Sequence, residues 1–263
     1  MATADINGIT IRYEDSGGDG PAILFSHGFL MDHTMFDAQV EHLAGDYRCI
    51  RWDERGFGDT SAGQPFTYWD SADDAAALLD HLGVAEAVWV GMSQGGFLSL
   101  RGALAHPGKV KAVVLIDSEA GVDPAEVIEG YQGMVAAFEG DDDEAAEAVF
   151  QIVAGLILGD EELSAEWIPK WRARRATGVP LQHAAGALLG RDDITDRLGE
   201  ITCPVLVVHG TADQAIPLAH GAAVEAAVPD GRGVVEVEGA AHAPNMTHPD
   251  VVNPALSAFL SSL

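Results

Sequence analysis

Ser93, Asp213 and His242 are the residues whose types and order in this chain suit nucleophilic catalysis. A serine hydroxyl attacks a carbonyl at neutral pH only when a base takes its proton, and a carboxylate holds that base in the right tautomer. Ser93 stands in the pattern Gly-x-Ser-x-Gly of residues 91–95, whose spacing is typical of a sharp turn between a strand and a helix. We therefore predict Ser93 as the nucleophile, His242 as the base and Asp213 as the orienting acid.

Each of these three residues follows an apolar run typical of a β-strand, at residues 88–90, 205–209 and 233–237 respectively. Ligands of parallel α/β sheets bind outside the carboxyl ends of the strands. We therefore expect the three side chains to project at the same edge of one sheet, although they are distant in sequence.

Strand-like runs alternate with helical patterns through most of the chain. The Asn7-Gly8 turn indicates an opening hairpin, a helical pattern covers residues 70–82, and further strands are predicted at residues 21–26, 47–52 and 110–116. Short connections between alternating strands and helices predict an α/β fold with a doubly wound, mostly parallel sheet of eight strands.

The alternation stops between residues 119 and 200, where the sequence shows only helical periodicities. We expect this segment to form a helical cap, inserted after the sixth strand. The core of the fold would then comprise residues 1–118 and 201–263.

Length and composition are typical of one large globular domain with an insert. The chain has 263 residues, of which 48% are apolar, and a mean hydropathy of +0.10. Its first residues show no basic segment followed by an apolar one, and no apolar run is long enough to span a bilayer, so we expect a cytoplasmic protein. Cys49 and Cys203 lie in strand-like runs and are expected to be buried free thiols. No histidine and cysteine cluster has metal spacing, so no metal site is predicted.

The charge of the chain is strongly acidic. Its 41 acidic residues outnumber 14 basic ones, for a formal net charge of −27. This charge argues against nucleic acid and anionic membranes as partners. The acidic run at residues 139–144 is short and leads into a helical pattern, so we interpret the excess as a solvated acidic shell of the kind that suits high salt.

Several stretches of the chain resemble the α/β-hydrolase superfamily, in particular its small esterases, lactonases and enol-lactone hydrolases. They correspond to the oxyanion turn, the D-x-R-G-x-G loop, the nucleophile elbow, the G-x-x-D-x-x-x-P acid loop and the histidine loop, and they occupy residues 27–29, 53–58, 91–95, 210–217 and 239–242. The resemblance implies acyl transfer to water with no cofactor. It also implies that the backbone N–H groups of Phe29 and Gln94 bind the oxyanion.

Substrate selection is expected to depend on the cap, which varies most within this superfamily. We expect a small to medium, mostly apolar ester or lactone, bound in a pocket formed by Leu30, Met31, Phe138, Trp167 and Trp171. Aromatic residues at helical spacing suit a core equally well, so these cap positions have two interpretations.

Two groups of residues leave alternatives open. Asp117 and Glu119 follow the strand at residues 110–116, where some hydrolases of this fold place their acid, and they compete with Asp213. Arg172, Arg174 and Arg175 would suit a substrate carboxylate, but they would equally suit a solvent-facing surface that offsets the acidic shell.

Other functions remain compatible with the same motifs. A protein of this fold can act as a small-molecule receptor with little turnover, as a cofactor-free perhydrolase or as a hydrolase of carbon–carbon bonds, because fold alone does not define function. A homodimer is also left open, since no feature of the sequence argues for it.

Overall fold

An eight-stranded β-sheet forms the centre of the computed structural model, which describes residues 2–263. The spatial order of its strands is β1-β2-β4-β3-β5-β6-β7-β8. The pairs β1/β2 and β2/β4 are antiparallel and the other pairs are parallel, as the sequence predicts. The strands are β1 Ala2–Ile6, β2 Ile9–Asp15, β3 Ala22–Ser26, β4 Arg48–Trp52, β5 Ala87–Met92, β6 Val110–Ile116, β7 Val205–Gly210 and β8 Gly231–Val237.

Helices flank this sheet and fill the connections between its strands. They are α1 Asp37–Leu43, α2 Tyr68–His81, α3 Gln94–Ala105, α4 Ala125–Glu139, α5 Asp143–Ile157, α6 Glu161–Ala176, α7 Gln182–Leu189, α8 Leu218–Ala227, α9 Pro244–Thr247 and α10 Pro249–Leu260. Short 3₁₀ turns precede α1 and follow α7.

Two local signals explain element boundaries. Asn7 and Gly8 both have positive φ, of 49° and 80°, as the tight turn of the opening hairpin requires. Helix α2 begins two residues before the predicted start because Thr67 and Asp70 form a capping box, in which each side chain accepts a hydrogen bond from the other's backbone N–H. The short helix α9 has no counterpart in the sequence prediction.

The arrangement of the strands creates a crevice at their carboxyl ends. Strand β3 lies between β4 and β5, so the chain leaves the middle of the sheet in opposite directions, first to β4 and later to β6. Such a switch in strand order marks the usual ligand site of a doubly wound sheet. The ends of β5 and β6 are level, with Met92 paired to Ile116, and Ile116 pairs in turn with Val208 of β7. The loops after these strands therefore begin at one edge.

The core of the sheet is apolar on both faces. All residues of β5 and β7 are buried, which explains why these strands appear in the sequence as continuous apolar runs. Trp52 and Trp89 are fully buried. Cys49 is buried as predicted, whereas Cys203 is only half-buried, and both thiols are free.

Helices α4 to α7 lie between β6 and β7, and no strand occurs in this part of the described chain. We call residues 119–200 the helical insert. Within it, Phe138 of α4 packs edge-on against Phe150 of α5, with 5.5 Å between the ring centroids. No helix of the described residues is both long and apolar enough to cross a bilayer.

Candidate active site

Ser93 occupies a strained turn between β5 and α3. Its φ and ψ are 51° and −115°, a conformation that costs a non-glycine residue free energy and occurs mainly at functional sites. A Cβ atom at Gly91 would lie 2.1 Å from the carbonyl oxygen of Gly95, and one at Gly95 would lie 2.0 Å from that of Ser26. Both glycines are therefore needed for the strand and the helix to approach this closely.

Hydrogen bonds from β6 and the loop after it hold the turn. The Ser93 N–H donates to the Ile116 carbonyl at 2.9 Å, and the Ser118 hydroxyl donates to the Ser93 carbonyl at 2.9 Å. Gln94 is the first residue of α3, so its backbone N–H has no acceptor within the helix. This N–H group is available to a ligand at the turn.

Asp213 and His242 are joined by a hydrogen bond. His242 Nδ1 lies 2.7 Å from Asp213 Oδ2, while Asp213 Oδ1 accepts the backbone N–H groups of Ala215 and Ile216 at 2.8 and 3.1 Å. Burial opposes the charged form of Asp213, but bonds from His209 and His242 outweigh it and hold the pKa of this carboxyl well below its usual range. Asp213 is therefore ionised, and it fixes the His242 proton on Nδ1.

Asp117 lies beside this pair but does not bond to His242. Its Oδ1 accepts the Gly210 N–H at 2.9 Å, and its buried Oδ2 has no partner among the described residues. Burial and the negative charge of Asp213 raise the pKa of Asp117 well above its usual value. Glu119, the other alternative acid, pairs with Arg191 and His220. Of the three acids, the geometry connects only Asp213 to the histidine.

Asp117, Asp213 and His242 bring possible ligand atoms within 4.8 Å of one another, a spacing that also occurs in metal sites. Both oxygens of Asp213 already face N–H donors. A carboxylate surrounded by N–H donors is suited to orienting an imidazole rather than to binding a cation.

The turn after β3, which is predicted to bind the oxyanion, is fixed by a buried histidine. His27 Nδ1 donates to the Gly28 carbonyl at 2.8 Å, and its Nε2 accepts the Glu54 N–H at 3.0 Å. Burial lowers the pKa of His27, so the ring is neutral in this arrangement. Leu30 has a φ of 62°, and its carbonyl accepts the indole N–H of Trp171 at 2.7 Å.

The loop after β4 is held by two of its charged residues, Asp53 and Arg55. Asp53 accepts hydrogen bonds from the backbone and the ring of His33, at 2.9 and 2.6 Å, and from the Asp59 N–H at 3.0 Å. Arg55 reaches beyond the loop and forms a buried ion pair with Asp74 of α2. These contacts join the loop to the segment after β3 and to α2.

A cavity between the sheet edge and the helical insert contains Ser93 and His242 in its wall. Leu30, Met31 and Phe138 line it, in the positions expected of them. The remaining lining is mostly apolar and includes Phe29, Phe97, Met134, Val149, Val153 and Ile157.

Trp167 and Trp171 do not line this cavity, so the prediction that they form the pocket is wrong. Both are buried, with 1% of their surface exposed. The indole N–H of Trp171 donates to the Leu30 carbonyl. The Lys170 ammonium lies 3.8 Å from the ring centroid of Trp167 in a cation–π contact. Trp171 therefore attaches α6 to the turn after β3, and Trp167 is buried outside the cavity lining.

The three arginines of α6 also lie outside the cavity lining. Arg172 forms an exposed pair with Glu147. Arg174 donates to the carbonyls of Gly56 and Val179, and Arg175 donates to backbone carbonyls and to an exposed aspartate. The solvent-facing interpretation therefore holds for Arg172, whereas Arg174 and Arg175 are half-buried and bond mainly to backbone carbonyls.

Three polar residues of the cavity wall lie outside every motif recognised in the sequence. They are Asp123, Tyr131 and Arg191, which contact an otherwise apolar space. Arg191 and Asp123 are 68 residues apart, and only packing of the insert brings them together. No periodicity or spacing in the sequence could have indicated this pair.

Known proteins of similar sequence and structure include several hydrolases. A non-heme chloroperoxidase of Streptomyces lividans is 34% identical, with 100% of this chain and 99% of the relative covered. A thermophilic esterase from Thermogutta terrifontis superimposes with a TM-score of 0.85 at 29% identity, covering 99% of this chain and 96% of the esterase. The enol-lactonase from Burkholderia xenovorans gives a TM-score of 0.83 at 26% identity, covering 99% and 100%.

The sequence itself matches the family described as alpha/beta hydrolase fold over residues 21–249. That range includes β3, the turn of Ser93, the helical insert and the loops that carry Asp213 and His242. With the eight-stranded sheet and its strand order, the match shows that this chain belongs to the α/β-hydrolase fold family.

Proposed function

We propose that this protein is a serine hydrolase that cleaves a carboxylic ester or lactone of a small to medium, mostly apolar substrate. The observation that carries the proposal is the placement of Ser93 and His242 in the wall of one apolar cavity, with His242 bonded to Asp213. Similar hydrolases, among them an esterase and an enol-lactonase, support the same class of reaction.

In the proposed reaction, Ser93 Oγ attacks the substrate carbonyl while His242 Nε2 accepts the hydroxyl proton. Asp213 stabilises the imidazolium that forms and keeps the remaining proton on Nδ1. The tetrahedral species then expels the alcohol, which takes the proton from His242. A water molecule, deprotonated by His242, then attacks the acyl-enzyme. The acid leaves as the bond to Ser93 Oγ breaks, and His242 returns its proton to Ser93.

The backbone N–H groups of Phe29 and Gln94 are proposed to bind the oxyanion. Gln94 contributes the free N–H of the first turn of α3, and Phe29 lies in the turn that His27 and Trp171 hold. Loss of one such donor typically costs about 3 kcal/mol of transition-state stabilisation.

We further propose that the helical insert, residues 119–200, acts as a cap over a core of residues 1–118 and 201–263. Support comes from the cavity wall, in which α4 and α5 contribute Met134, Phe138 and Val149 opposite the sheet edge. Closure by apolar side chains excludes water and strengthens the electrostatic interactions of the site.

Perhydrolysis is the second candidate, because a relative from Acinetobacter calcoaceticus with 27% identity is a bifunctional esterase/perhydrolase. In that reaction hydrogen peroxide replaces water in the attack on the acyl-enzyme, and a peracid leaves in place of the acid. The same nucleophile and base serve both reactions, so peroxide and water compete for one intermediate.

Steady-state turnover of methyl and p-nitrophenyl esters and of a lactone panel, with and without peroxide, tests the proposal. Ser93→Ala should abolish turnover while the melting temperature stays near that of the wild type. Asp213→Asn should lower kcat by a factor of about 10⁴, because the amide favours the wrong tautomer of His242. Asp117→Asn is the matched control and should be far less damaging.

Wild-type turnover by Ser93→Ala would overturn the assignment of the nucleophile. A larger loss in Asp117→Asn than in Asp213→Asn would move the acid to the end of β6. A single burst of product with stable retention of the ligand by the wild type would favour the receptor alternative.

A further inference from the structure

The side chain of Arg191 brings a positively charged guanidinium to the wall of the apolar cavity. This side chain is only 3% exposed, and the guanidinium lies 4.5 Å above the ring centroid of Phe97, which also lines the cavity. A buried arginine beside a catalytic serine would normally suggest a site for a substrate carboxylate.

The hydrogen bonds of this guanidinium leave it little capacity for a ligand. Nη2 donates to Glu119 Oε1 at 2.7 Å, Nη1 donates to Asp123 Oδ2 and to the Leu188 carbonyl at 2.9 Å each, and Nε donates to the Gly121 carbonyl at 3.0 Å. Four of the five N–H groups of an arginine are thus engaged by the protein.

The charge of the cluster is also compensated. Glu119 and Asp123 together bring two negative charges to one guanidinium, and Glu119 Oε2 additionally contacts His220 Nδ1 at 2.5 Å. Even if His220 is protonated, the cluster offers no net positive charge to the cavity. Of the two acids, Asp123 is the one that lines the cavity beside Arg191.

We infer that Asp123 is a specificity-determining residue, which neutralises Arg191 and makes the cavity select neutral acyl groups over those that carry a carboxylate. This inference rests on the proposed ester hydrolysis and names its substrate class. A substrate carboxylate would lose its hydration in an apolar cavity without gaining a free cation, and it would approach the negative charge of Asp123.

The test compares two esters of equal acyl length, methyl hexanoate and monomethyl adipate, which differ at the far end in a methyl group and a carboxylate. Hydrolysis is followed by titration of the released acid at constant pH. The wild type should show a kcat/KM at least about 100-fold higher for methyl hexanoate, a ratio that corresponds to about 2.7 kcal/mol. In Asp123→Asn the ratio should fall at least tenfold. The negative charge of Asp123 is then gone from the cavity wall, and Glu119 is the only acid that still pairs with Arg191.

Asp143→Asn is the matched control. Asp143 also lies in the helical insert and pairs with an arginine, Arg175, but its side chain is 89% exposed. The substitution removes the same charge from the whole molecule, and the ratio of the two esters should stay at the wild-type value.

An equal kcat/KM of the wild type for the two esters would by itself overturn the inference. So would an unchanged ratio in a folded Asp123→Asn protein, or an equal shift in Asp143→Asn. Calorimetric titration of Ser93→Ala with each ester gives the same comparison as a ratio of dissociation constants. If the wild type hydrolyses neither these esters nor any member of the ester and lactone panel, the proposed function fails, while this binding ratio still decides the selectivity of the cavity.

Discussion

Two neighbouring aspartates at the sheet edge show how the environment separates residues of the same type. Asp213 accepts hydrogen bonds from two backbone N–H groups and from His242 and is ionised, whereas deeper burial beside that charge raises the pKa of Asp117 well above its usual value. Pairs of carboxyls whose pKa values are driven apart in this way are typical of active sites. The negative charge beside His242 is therefore located on the carboxylate of Asp213.

Glu54, directly after β4, is a second carboxyl in an unfavourable position. It is fully buried, and neither of its oxygens has a partner among the described residues. Burial raises its pKa well above the ordinary value, and the charge of Asp74 adds to this effect. The folded protein therefore keeps the Glu54 proton to higher pH than the unfolded chain does.

Glu54→Gln should make the stability less sensitive to pH. The folded pKa of Glu54 is raised, so its favourable neutral form is fully available below the ordinary pKa of 4.5 and is lost as pH rises toward the folded pKa. The free energy of unfolding of the variant, relative to wild type, should therefore increase by up to about 1.4 kcal/mol per pH unit in that window.

Urea unfolding at pH 5, 7 and 9 measures this difference. Glu41→Gln, an exposed substitution on α1, serves as the control and should show no such trend. A constant offset between Glu54→Gln and wild type across the three pH values would contradict a protonated Glu54 in the fold.

Helix α6 connects the helical insert to the segment after β3. Trp171 donates its indole N–H to the Leu30 carbonyl, and Lys170 donates to the Thr34 hydroxyl at 3.2 Å. Arg174 extends the attachment to the carbonyl of Gly56 in the loop after β4. The insert thus holds the segment that is proposed to supply the Phe29 N–H.

Trp171→Phe keeps an aromatic ring but removes this hydrogen bond. We expect kcat to fall about tenfold with a smaller change in KM, since a displaced turn weakens one oxyanion donor without removing it. Stability should drop by about 1 kcal/mol. Trp69→Phe is the matched control, because its indole bonds to Asp192 away from the cavity. Full kcat in Trp171→Phe would show that α6 does not position the turn.

The whole molecule carries a net charge of −27, and its local contacts offset only part of it. In the acidic run of the insert, Asp142 caps α5 by accepting two backbone N–H groups, and Asp143 pairs with Arg175 at 2.6 Å. The remaining repulsion is spread over the exposed surface, where salt screens it. The Debye length falls from about 10 Å at 0.1 M to about 3 Å at 1 M.

The melting temperature should therefore rise as NaCl increases from about 0.05 to about 1 M. Hydrolysis of neutral esters should persist over this range. Sodium chloride is preferred to sulfate, because sulfate also strengthens the burial of apolar groups. A melting temperature that stays level or falls would show that the acidic surface is not under electrostatic strain.

Much of the architecture is determined by short-range signals that the sequence displays directly. The Asn7-Gly8 turn, the glycines on either side of Ser93 and the continuous apolar runs of β5 and β7 each reflect a local requirement for positive φ, close approach or burial. Such signals can be recognised within a short stretch of the sequence. They are sufficient to predict the eight strands, and with the order of the serine, aspartate and histidine loops they indicate where the side chains meet.

Only the tertiary structure decided which of several similar residues occupy that meeting point. Asp117 and Asp213 are equally placed after strands, and it is packing that gives Asp213 the bond to His242 and leaves Asp117 without one. Likewise Trp171 and Arg191 are ordinary residues of helical segments until the insert folds onto the sheet. Trp171 then bonds to a carbonyl 141 residues away, and Arg191 to a carboxylate 72 residues away. Contacts at such separations arise from the shape of the whole fold and have no local pattern.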